Sequence, residues 1–253
     1  MATNTKWENY SQTYKIDNYK YAVYVQTANI IYTFLKKKQG NLLDLGAGFG
    51  DIAVMLAKKM NFKIFAVENV KTSLLHIKSN IRRNNLKYKV RAEHEDAYNM
   101  SYPDNTFGVG ISTGYECCGA YPGVTKEFTR VVKEDGIIIM DFVNPLNLYR
   151  ILSPTKFFRL IKSVLQYKGF IKDDKKKFHL GIFGIKKHFR KFGLEIEDKV
   201  FFSTAPPIFR NRIPAKYFIA FEKFLGWFLW PFFSRIIIVK FRNTKNEIIH
   251  NQE

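Results

Sequence analysis

The sequence predicts an α/β protein built on a doubly wound, mostly parallel sheet of seven strands. Three observations support this fold class. A buried strand leads through a glycine-rich turn into a helix over residues 41–60. Short apolar runs then alternate with segments of helical periodicity as far as residue 142. A hydrophobic content of 46% over 253 residues supplies one sizeable core, so we expect a single domain spanning residues 1–253.

The predicted helices share apolar residues at spacings of three or four and are placed at residues 20–38, 51–60, 71–84, 124–132 and 182–192. In the first of them, the apolar positions are Tyr21, Val25, Ala28, Tyr32 and Leu35. Lysines fill its last turn, and Gly40 follows its end. The predicted strands are short apolar runs bounded by turn residues, at 41–45, 63–67, 89–93, 107–112, 136–142, 194–202 and 235–241.

The turn after the first strand, residues 44–50, carries the clearest chemical signal. Its glycines permit a sharp turn, expose the backbone to a ligand and present the start of the next helix to it. A tight turn that binds nothing is the simplest alternative. The dinucleotide pattern Gly-x-Gly-x-x-Gly fits poorly, because Gly50 comes one position early and Asp51 occupies the expected place. Asp44 would repel a pyrophosphate but offset an ammonium, which favours S-adenosylmethionine over NAD.

Acidic residues after the next two strands complete a candidate nucleoside site. Glu68 ends the second strand, where a carboxylate can accept hydrogen bonds from both ribose hydroxyls. Asp96 follows the third strand and can accept from an adenine amino group. For each acid the alternative is an exposed charge at a strand end or in a loop. The neighbouring positions assigned to the same site are Asn69, Ala97 and Ser112.

These motifs, taken in order, resemble those of the class I S-adenosylmethionine-dependent methyltransferases. The resemblance extends over residues 21–144 and resumes at 179–202 and 235–241. It implies that the protein is an enzyme with S-adenosylmethionine as its cofactor. In that family the glycine loop holds the methionine part, the strand-two acid the ribose and the strand-three acid the adenine. By position, the corresponding residues are Gly46, Ala47, Gly48, Glu68 and Asp96.

The loop after the fourth strand is expected to face the methyl acceptor. Methyl transfer is an in-line displacement in which positioning and desolvation can carry most of the barrier reduction, so a base is optional. Tyr115 is a candidate to wall the pocket or orient the acceptor, and Glu116 is a candidate to take a proton. His179, after the first insertion, is a further candidate base. Packing or solvent exposure is the alternative for each. The histidines show no metal-site spacing, and no metal is expected.

The same loop bears on the class of acceptor. Amino-methylating nucleic-acid enzymes resemble one another in an Asn/Asp-Pro-Pro-aromatic turn, and residues 112–115 lack both prolines. Cys117 follows Glu116 rather than the proline usual in enzymes that attack pyrimidines through cysteine. These two routes of base methylation are therefore disfavoured. The adjacent Cys117 and Cys118 and the absence of a signal-peptide pattern predict a reduced, cytoplasmic location.

Two segments that interrupt the alternation, residues 145–179 and 204–234, are basic and aromatic. Residues 145–253 hold 22 Lys and Arg against 8 Asp and Glu, so they carry +14 of the net charge of +19. Such segments suit a membrane interface, the roof of a greasy pocket, a packed cap helix or a protein partner. Residues 1–40, which include Tyr10, Tyr14 and Tyr19, are expected to form a helical lid over the cofactor.

The sequence thus predicts a methyltransferase for a hydrophobic small molecule or a lipid-like acceptor. Transfer to oxygen or carbon is expected, with peripheral contact to an anionic membrane. Lysine-rich composition with a solvated surface is the alternative explanation of the charge. Two other functions remain open. An RNA methyltransferase would use the basic second half, and a non-catalytic module would bind the cofactor without turnover.

Overall fold

In the part of the chain that the structure describes, seven strands form one sheet, in which the third, second, first, fourth, fifth, seventh and sixth strands of the sequence lie side by side. The computed structural model describes residues 18–113, 121–148, 152, 182–203, 214, 216–217, 219–220 and 234–244. The strands are β1 (Gly40–Leu45), β2 (Phe62–Glu68), β3 (Val90–His94), β4 (Phe107–Ser112), β5 (Val132–Val143), β6 (Leu194–Phe202) and β7 (Ile236–Asn243). Strand β7 pairs antiparallel with both neighbours, and the other neighbouring pairs are parallel. The predicted fold class is confirmed.

Five helices alternate with these strands along the described chain. They are α1 (Asn18–Leu35), α2 (Asp51–Lys59), α3 (Lys71–Arg83), α4 (Pro122–Val131) and α5 (Ile182–Arg190). The largest boundary difference concerns β5, which begins at Val132 instead of residue 136. Val132 pairs with Phe107 across a register shift in β4. The Asn243 side chain also donates to the Val132 and Lys133 carbonyls, so the end of β7 holds the start of β5.

The core lies on both faces of the sheet. Leu42 and Leu43 are adjacent and fully buried, yet they belong to separate hydrophobic clusters. The first cluster includes residues of α1, α2 and α3, and the second includes residues of α4 and α5. Successive side chains of a strand point to opposite faces, so a central strand covered on both sides becomes a continuous apolar run.

The predicted apolar face of α1 is partly wrong. Ala28 and Leu35 are buried as expected, but Tyr21 is 47% exposed. The residues that face the core instead include Tyr19 and Ile31. Apolar residues surround this helix on several sides, so their spacing alone does not select the buried face. The contacts of Tyr19 do: its hydroxyl lies 2.7 Å from Ser203 Oγ and accepts a hydrogen bond from Arg235.

A polar corner joins the ends of β5 and β6 to the start of β7. The Arg235 amide donates to the carbonyls of Phe202 and Ser203 at 3.1 and 3.2 Å. The side-chain amides of Asn144 and Asn147 both donate to the Ser234 carbonyl, at 2.8 and 3.2 Å. Hydrogen bonds therefore hold Ser203, at the end of β6, next to Ser234 and Arg235, at the start of β7.

The predicted subdivisions fall mainly outside the described residues. This applies to most of the insertions at 145–179 and 204–234 and to Tyr10 and Tyr14, so these assignments stay predictions. Helix α1 contributes to the core. A lid within residues 1–40 would therefore have to come from the part that precedes α1. Across the described ranges, no helix has the length and apolar character needed to cross a membrane.

Candidate functional site

The glycine loop folds back over the end of β2. The amides of Gly46 and Ala47 both donate to the Val67 carbonyl at 3.0 Å. Gly46, Gly48 and Gly50 have φ values of 72°, 60° and 77°, in the left-handed region that glycine adopts at little cost. The backbone of the loop is thereby held at the carboxyl edge of the sheet.

Gly48 and Gly50 serve different purposes. A Cβ atom on Gly50 would lie 3.0 Å from Cγ2 of Ile77, so this glycine allows α3 to approach the loop. A Cβ on Gly48 would meet no atom within 4 Å. The space beside Gly48 is open, as a backbone that receives a ligand requires.

Glu68 is held by three backbone amides at the end of β2. Its Oε2 accepts from Gly48 at 3.0 Å, and its Oε1 accepts from Asn69 and Val70 at 2.9 and 3.1 Å. A carboxylate offers about four acceptor positions, so one remains, on Oε2, for an incoming hydroxyl. Burial raises the pKa of Glu68, and the three amide hydrogen bonds offset part of this effect.

Asp44 is the second acid beneath the loop. Its side chain is 2% exposed, and Oδ2 has no hydrogen-bond partner in the described part of the chain. Burial raises the pKa of Asp44 to about 7, and the charge of Glu68 adds to the increase. A buried carboxylate without a partner is costly, so the position favours a cationic group as its partner.

The residues around the loop fit S-adenosylmethionine. Its methionine part carries an ammonium and a sulfonium, which the unpartnered oxygen of Asp44 and the charge of Glu68 would attract. The open space beside Gly48 suits a ligand close to the backbone. The same two acids would repel a pyrophosphate, so the charge of the site supports the choice of cofactor made from the sequence.

Asn69 and His94 connect the ends of β2 and β3. The Asn69 carbonyl accepts a hydrogen bond from Nε2 of His94 at 3.1 Å, which fixes a proton on that nitrogen. His94 also lies close enough to Glu68 to lower the pKa of this acid. Sequence reasoning did not select His94 as a site residue. Its position at the end of the strand adjacent to β2 was the available signal.

Asp96 and Ala97 lie where the nucleoside part was predicted. Asp96 is exposed, and its Oδ1 accepts from the Tyr98 amide at 3.0 Å while its carbonyl accepts from Asn99. These bonds close a turn after β3. Ala97 is half-buried and packs against the second core cluster. The turn projects Asp96 outward, and its contact with adenine stays a prediction.

Ser112 and Thr113 end β4 beside the glycine loop. Ser112 is buried and donates to the Leu45 carbonyl at 3.0 Å, so its proton is engaged between β4 and β1. Its assignment to the cofactor therefore stays a prediction, in which the hydroxyl would act as an acceptor. Thr113 Oγ1 is buried and has no hydrogen-bond partner where the structure is described. Sequence reasoning did not select Thr113 as a site residue.

The predicted acceptor-side residues lie outside the described part of the chain. Tyr115 and Glu116 lie within residues 114–120, and His179 lies in the first predicted insertion. Their roles stay predictions. Among the residues that are described, no group of three His, Cys, Asp or Glu side chains could hold a metal ion.

Arg130 fixes the part of the β3–β4 connection that follows Asp96. Its guanidinium donates to the carbonyls of Tyr102 and Met100 at 2.9 and 3.1 Å and to Asp104 at 2.6 Å. Two further bonds go to the carboxylate of Glu127, at 2.8 and 2.6 Å. Glu127 in turn accepts from the Met100 amide at 2.7 Å. Helix α4 thus holds residues 100–104 through a single cation.

Comparison with known proteins agrees with this geometry. Residues 42–136 match the family model of a methyltransferase domain. The geranyl diphosphate C-methyltransferase of Streptomyces coelicolor A3(2), in complex with Mg²⁺, geranyl diphosphate and S-adenosyl-L-homocysteine, has a TM-score of 0.58 at 13% identity. That alignment covers 86% of this chain and 78% of the other. No curated protein sequence is significantly similar to the chain.

Two further structures share the fold. The 4+2 cyclase SpnF has a TM-score of 0.57 at 16% identity, over 87% of this chain and 80% of that one. A methyltransferase from Aquifex aeolicus that depends on S-adenosylmethionine has a TM-score of 0.52 at 12% identity, over 85% and 89%.

Proposed function

We propose that this protein is an S-adenosylmethionine-dependent methyltransferase, which the match of residues 42–136 to a methyltransferase domain supports, and that it acts on a hydrophobic small molecule or a lipid-like acceptor. Transfer goes to oxygen or carbon. The part of the proposal that concerns the methyl donor, called the donor half, depends on the unpartnered Asp44 oxygen beside Glu68 and the open space at Gly48. The acceptor half is supported by composition and by likeness to other proteins.

In the donor half, each described residue has a distinct task. Bound S-adenosylmethionine supplies an electrophilic methyl group on a sulfonium. Asp44 and Glu68 place negative charge beneath the cationic part, and the turn at Gly46 and Gly48 leaves the backbone accessible to it. The remaining acceptor position on Glu68 Oε2 orients a sugar hydroxyl. These residues bind and orient the donor, which fits a reaction that relies on positioning rather than on a dedicated base.

Two observations support a hydrophobic acceptor. Phenylalanine, tryptophan and leucine are concentrated in the segments 145–179 and 204–234, which join the sheet at its carboxyl edge, where ligands of such folds bind. A geranyl diphosphate methyltransferase is among the proteins with this fold. Peripheral contact between the inserted segments and an anionic membrane forms part of the proposal.

Calorimetric titration with S-adenosylhomocysteine tests the donor site. Glu68→Gln keeps the shape of the side chain but removes its charge, and we expect at least about tenfold weaker binding, as for loss of a charge-assisted hydrogen bond. Glu195→Gln is the matched control, because Glu195 is exposed on β6 and lies at the opposite edge of the sheet. Absence of binding to the folded wild-type protein would overturn the donor assignment.

Transfer of an isotopically labelled methyl group from S-adenosylmethionine tests the acceptor class. The protein is incubated in parallel with a total lipid and small-metabolite extract and with total RNA, and mass spectrometry locates the label. Label in the organic extract supports the proposal. Label in RNA alone would establish the RNA methyltransferase instead. Cofactor binding without label in either fraction would favour a non-catalytic module. Co-sedimentation with anionic vesicles tests the membrane contact separately.

A further inference from the structure

The turns before β1, β2 and β3 form a strongly basic surface. We call residues 36–41, 58–63 and 82–91 the basic pole. They contain 11 cations and no Asp or Glu: Lys36, Lys37, Lys38, Lys58, Lys59, Lys63, Arg82, Arg83, Lys87, Lys89 and Arg91. Because the three strands are parallel neighbours, these turns meet at one edge of the sheet. This is the amino edge, opposite the edge that holds Asp44 and Glu68.

Some of these cations have structural roles. Lys89 donates to the carbonyls of Ala57 and Met60, both at 3.1 Å, and so caps α2. Lys59 donates to the side chain of Asn29. The charged groups of Lys63 and Arg91 lie 5.9 and 5.8 Å from the centre of the Phe65 ring.

The other seven cations are available to a partner. They are exposed, and no hydrogen bond or ion pair involves their side chains in the described parts of the structure: Lys36, Lys37, Lys38, Lys58, Arg82, Arg83 and Lys87. Cations in the last turn of a helix offset its dipole, which accounts for Lys58, Arg82 and Arg83. The remaining four lie beyond the helix ends, so the dipole does not account for them.

The amino edge of the other half of the sheet differs. There Lys133 is followed by Glu134 and Asp135 at the start of β5. On β6 and β7, Glu197 accepts from Lys240 and Arg242 at 2.9 and 2.6 Å. Charges of both signs meet and pair in this half. Lys38 lines a shallow cavity with Asp135 and Glu197 at the border between the two halves, and the excess of cations is otherwise a local property of the basic pole.

The composition of the basic pole indicates the kind of partner. Apart from Gly40, every exposed residue in it is Lys, Arg, Asn, Gln or Tyr, and Tyr88 is 75% exposed between two lysines. These side chains are the donors that contact phosphate and sugar in nucleic-acid complexes. Helices that bind membrane interfaces add aliphatic or aromatic groups that insert among the lipids. The basic pole exposes one aromatic side chain, Tyr88, and no aliphatic side chain, which favours a nucleic-acid backbone over a bilayer.

We propose that the basic pole binds the phosphate backbone of RNA without regard to sequence. The site of methyl transfer then lies at the far end of the strands. Strand β2 has 7 residues, which at about 3.3 Å per residue separates the two edges by roughly 20 Å. RNA held here is a docking partner and not the methyl acceptor, so this proposal is independent of the acceptor class proposed above.

Fluorescence anisotropy with a labelled single-stranded RNA 20-mer tests the proposal, with salt concentration varied. If seven cations contact a single-stranded RNA, the logarithm of the association constant should fall with log salt at a slope of about −5. The triple variant Lys36→Gln, Lys37→Gln, Lys38→Gln removes three of them. We expect a slope of about −3 and binding at least about tenfold weaker at low salt.

The matched control is Lys186→Gln, Lys187→Gln, Lys191→Gln, which removes three exposed lysines at or next to α5 in the other half. It is expected to bind RNA within about twofold of the wild type. S-adenosylhomocysteine binding should be unchanged in both variants, which verifies that they are folded. Equal weakening by both triple variants would overturn the proposal. So would binding to phosphatidylserine vesicles, lost in the first variant, without any binding to RNA.

Discussion

At the scale of single residues, Asp44 illustrates how a ligand site is maintained at a cost to stability. Burial raises its pKa from 3.8 to about 7, so the folded protein holds this proton more tightly than the unfolded chain does. The stability contributed by the protonated form is therefore present at low pH. It is lost between about pH 4 and pH 7, and above that range the folded state retains an unfavourable buried charge.

Replacing Asp44 by Asn removes this titration. The difference in the free energy of unfolding, variant minus wild type, should be higher at pH 8 than at pH 5 by about 2 to 3 kcal/mol. This follows because one pKa unit corresponds to about 1.4 kcal/mol. Urea unfolding at the two pH values measures the difference. Asp135→Asn, an exposed acid at the start of β5, is the control and should show no such change. An equal effect of Asp44→Asn at both pH values would contradict the pKa assigned to Asp44.

The same proton should be released when the donor binds. A cationic ligand favours the ionised form of Asp44, so binding of S-adenosylmethionine at pH 6.5 should expel up to about one proton. Calorimetry in buffers of different ionisation enthalpy counts this proton. The variant Asp44→Asn should bind more weakly and release none. Proton release that persists in the variant would place the titrating group elsewhere.

A comparison of alanine variants at Gly48 and Gly108 tests whether the ligand lies beside Gly48. A Cβ meets no atom within 4 Å at either residue, but only Gly48 has a positive φ, of 60°. Gly48→Ala should lower stability by about 1 kcal/mol and weaken S-adenosylhomocysteine binding strongly, because its methyl group enters the ligand space. Gly108→Ala should change neither property appreciably. Thermal unfolding and calorimetry measure both variants, and full affinity in Gly48→Ala would show that the ligand lies elsewhere.

The order of residue types along the sequence was enough to select Asp44 and Glu68 as candidate site residues. It did not predict the hydrogen bonds around them. Spacing after a strand is enough to suggest an acid at its carboxyl end. The three amides that hold Glu68 and the bond from His94 to Asn69 depend on how the chain turns after β2. That turn has no sequence signature comparable to the glycine loop.

At the scale of elements, Arg130 decides how the β3–β4 connection is held. Arg130→Met keeps the aliphatic stem but removes both guanidinium bonds to Glu127, which retains the bond from the Met100 amide. The carbonyls of residues 100 and 102 also lose the guanidinium as a donor. We expect a loss of about 2 kcal/mol, moderate because the guanidinium is partly exposed. Lys126→Met, on the exposed side of α4, is the control. Denaturant unfolding compares the two, and equal stability would show that the Arg130 bonds contribute little.

Helices could be distinguished from strands because apolar residues recur at different spacings in the two. The ends of these elements depended instead on tertiary contacts. The start of β5 at Val132 follows from its pairing with Phe107 and from the Asn243 side chain, more than 100 residues away in sequence. The buried face of α1 similarly follows from the contacts of Tyr19 with Ser203 and Arg235. Such long-range partners leave no local pattern.

For the molecule as a whole, the net charge counted along the sequence does not show where the charges cluster in the folded protein. The second half carries most of the charge of +19, yet the basic pole belongs to the first half. Parallel strands collect turns that are about 20 to 25 residues apart in sequence at one edge. Acids at the opposite ends of the same strands cancel these cations in a count by segment, although the two groups are separated in space.

The Arg235 amide donates to the carbonyls of Phe202 and Ser203, so the chain that leaves β6 returns to β7 at a neighbouring position. Because the entropic cost of closing a loop depends only weakly on its length, insertions and deletions between these two points should leave the register of the sheet unchanged. Ile219 packs against the first core cluster, so such changes are best tolerated away from this residue.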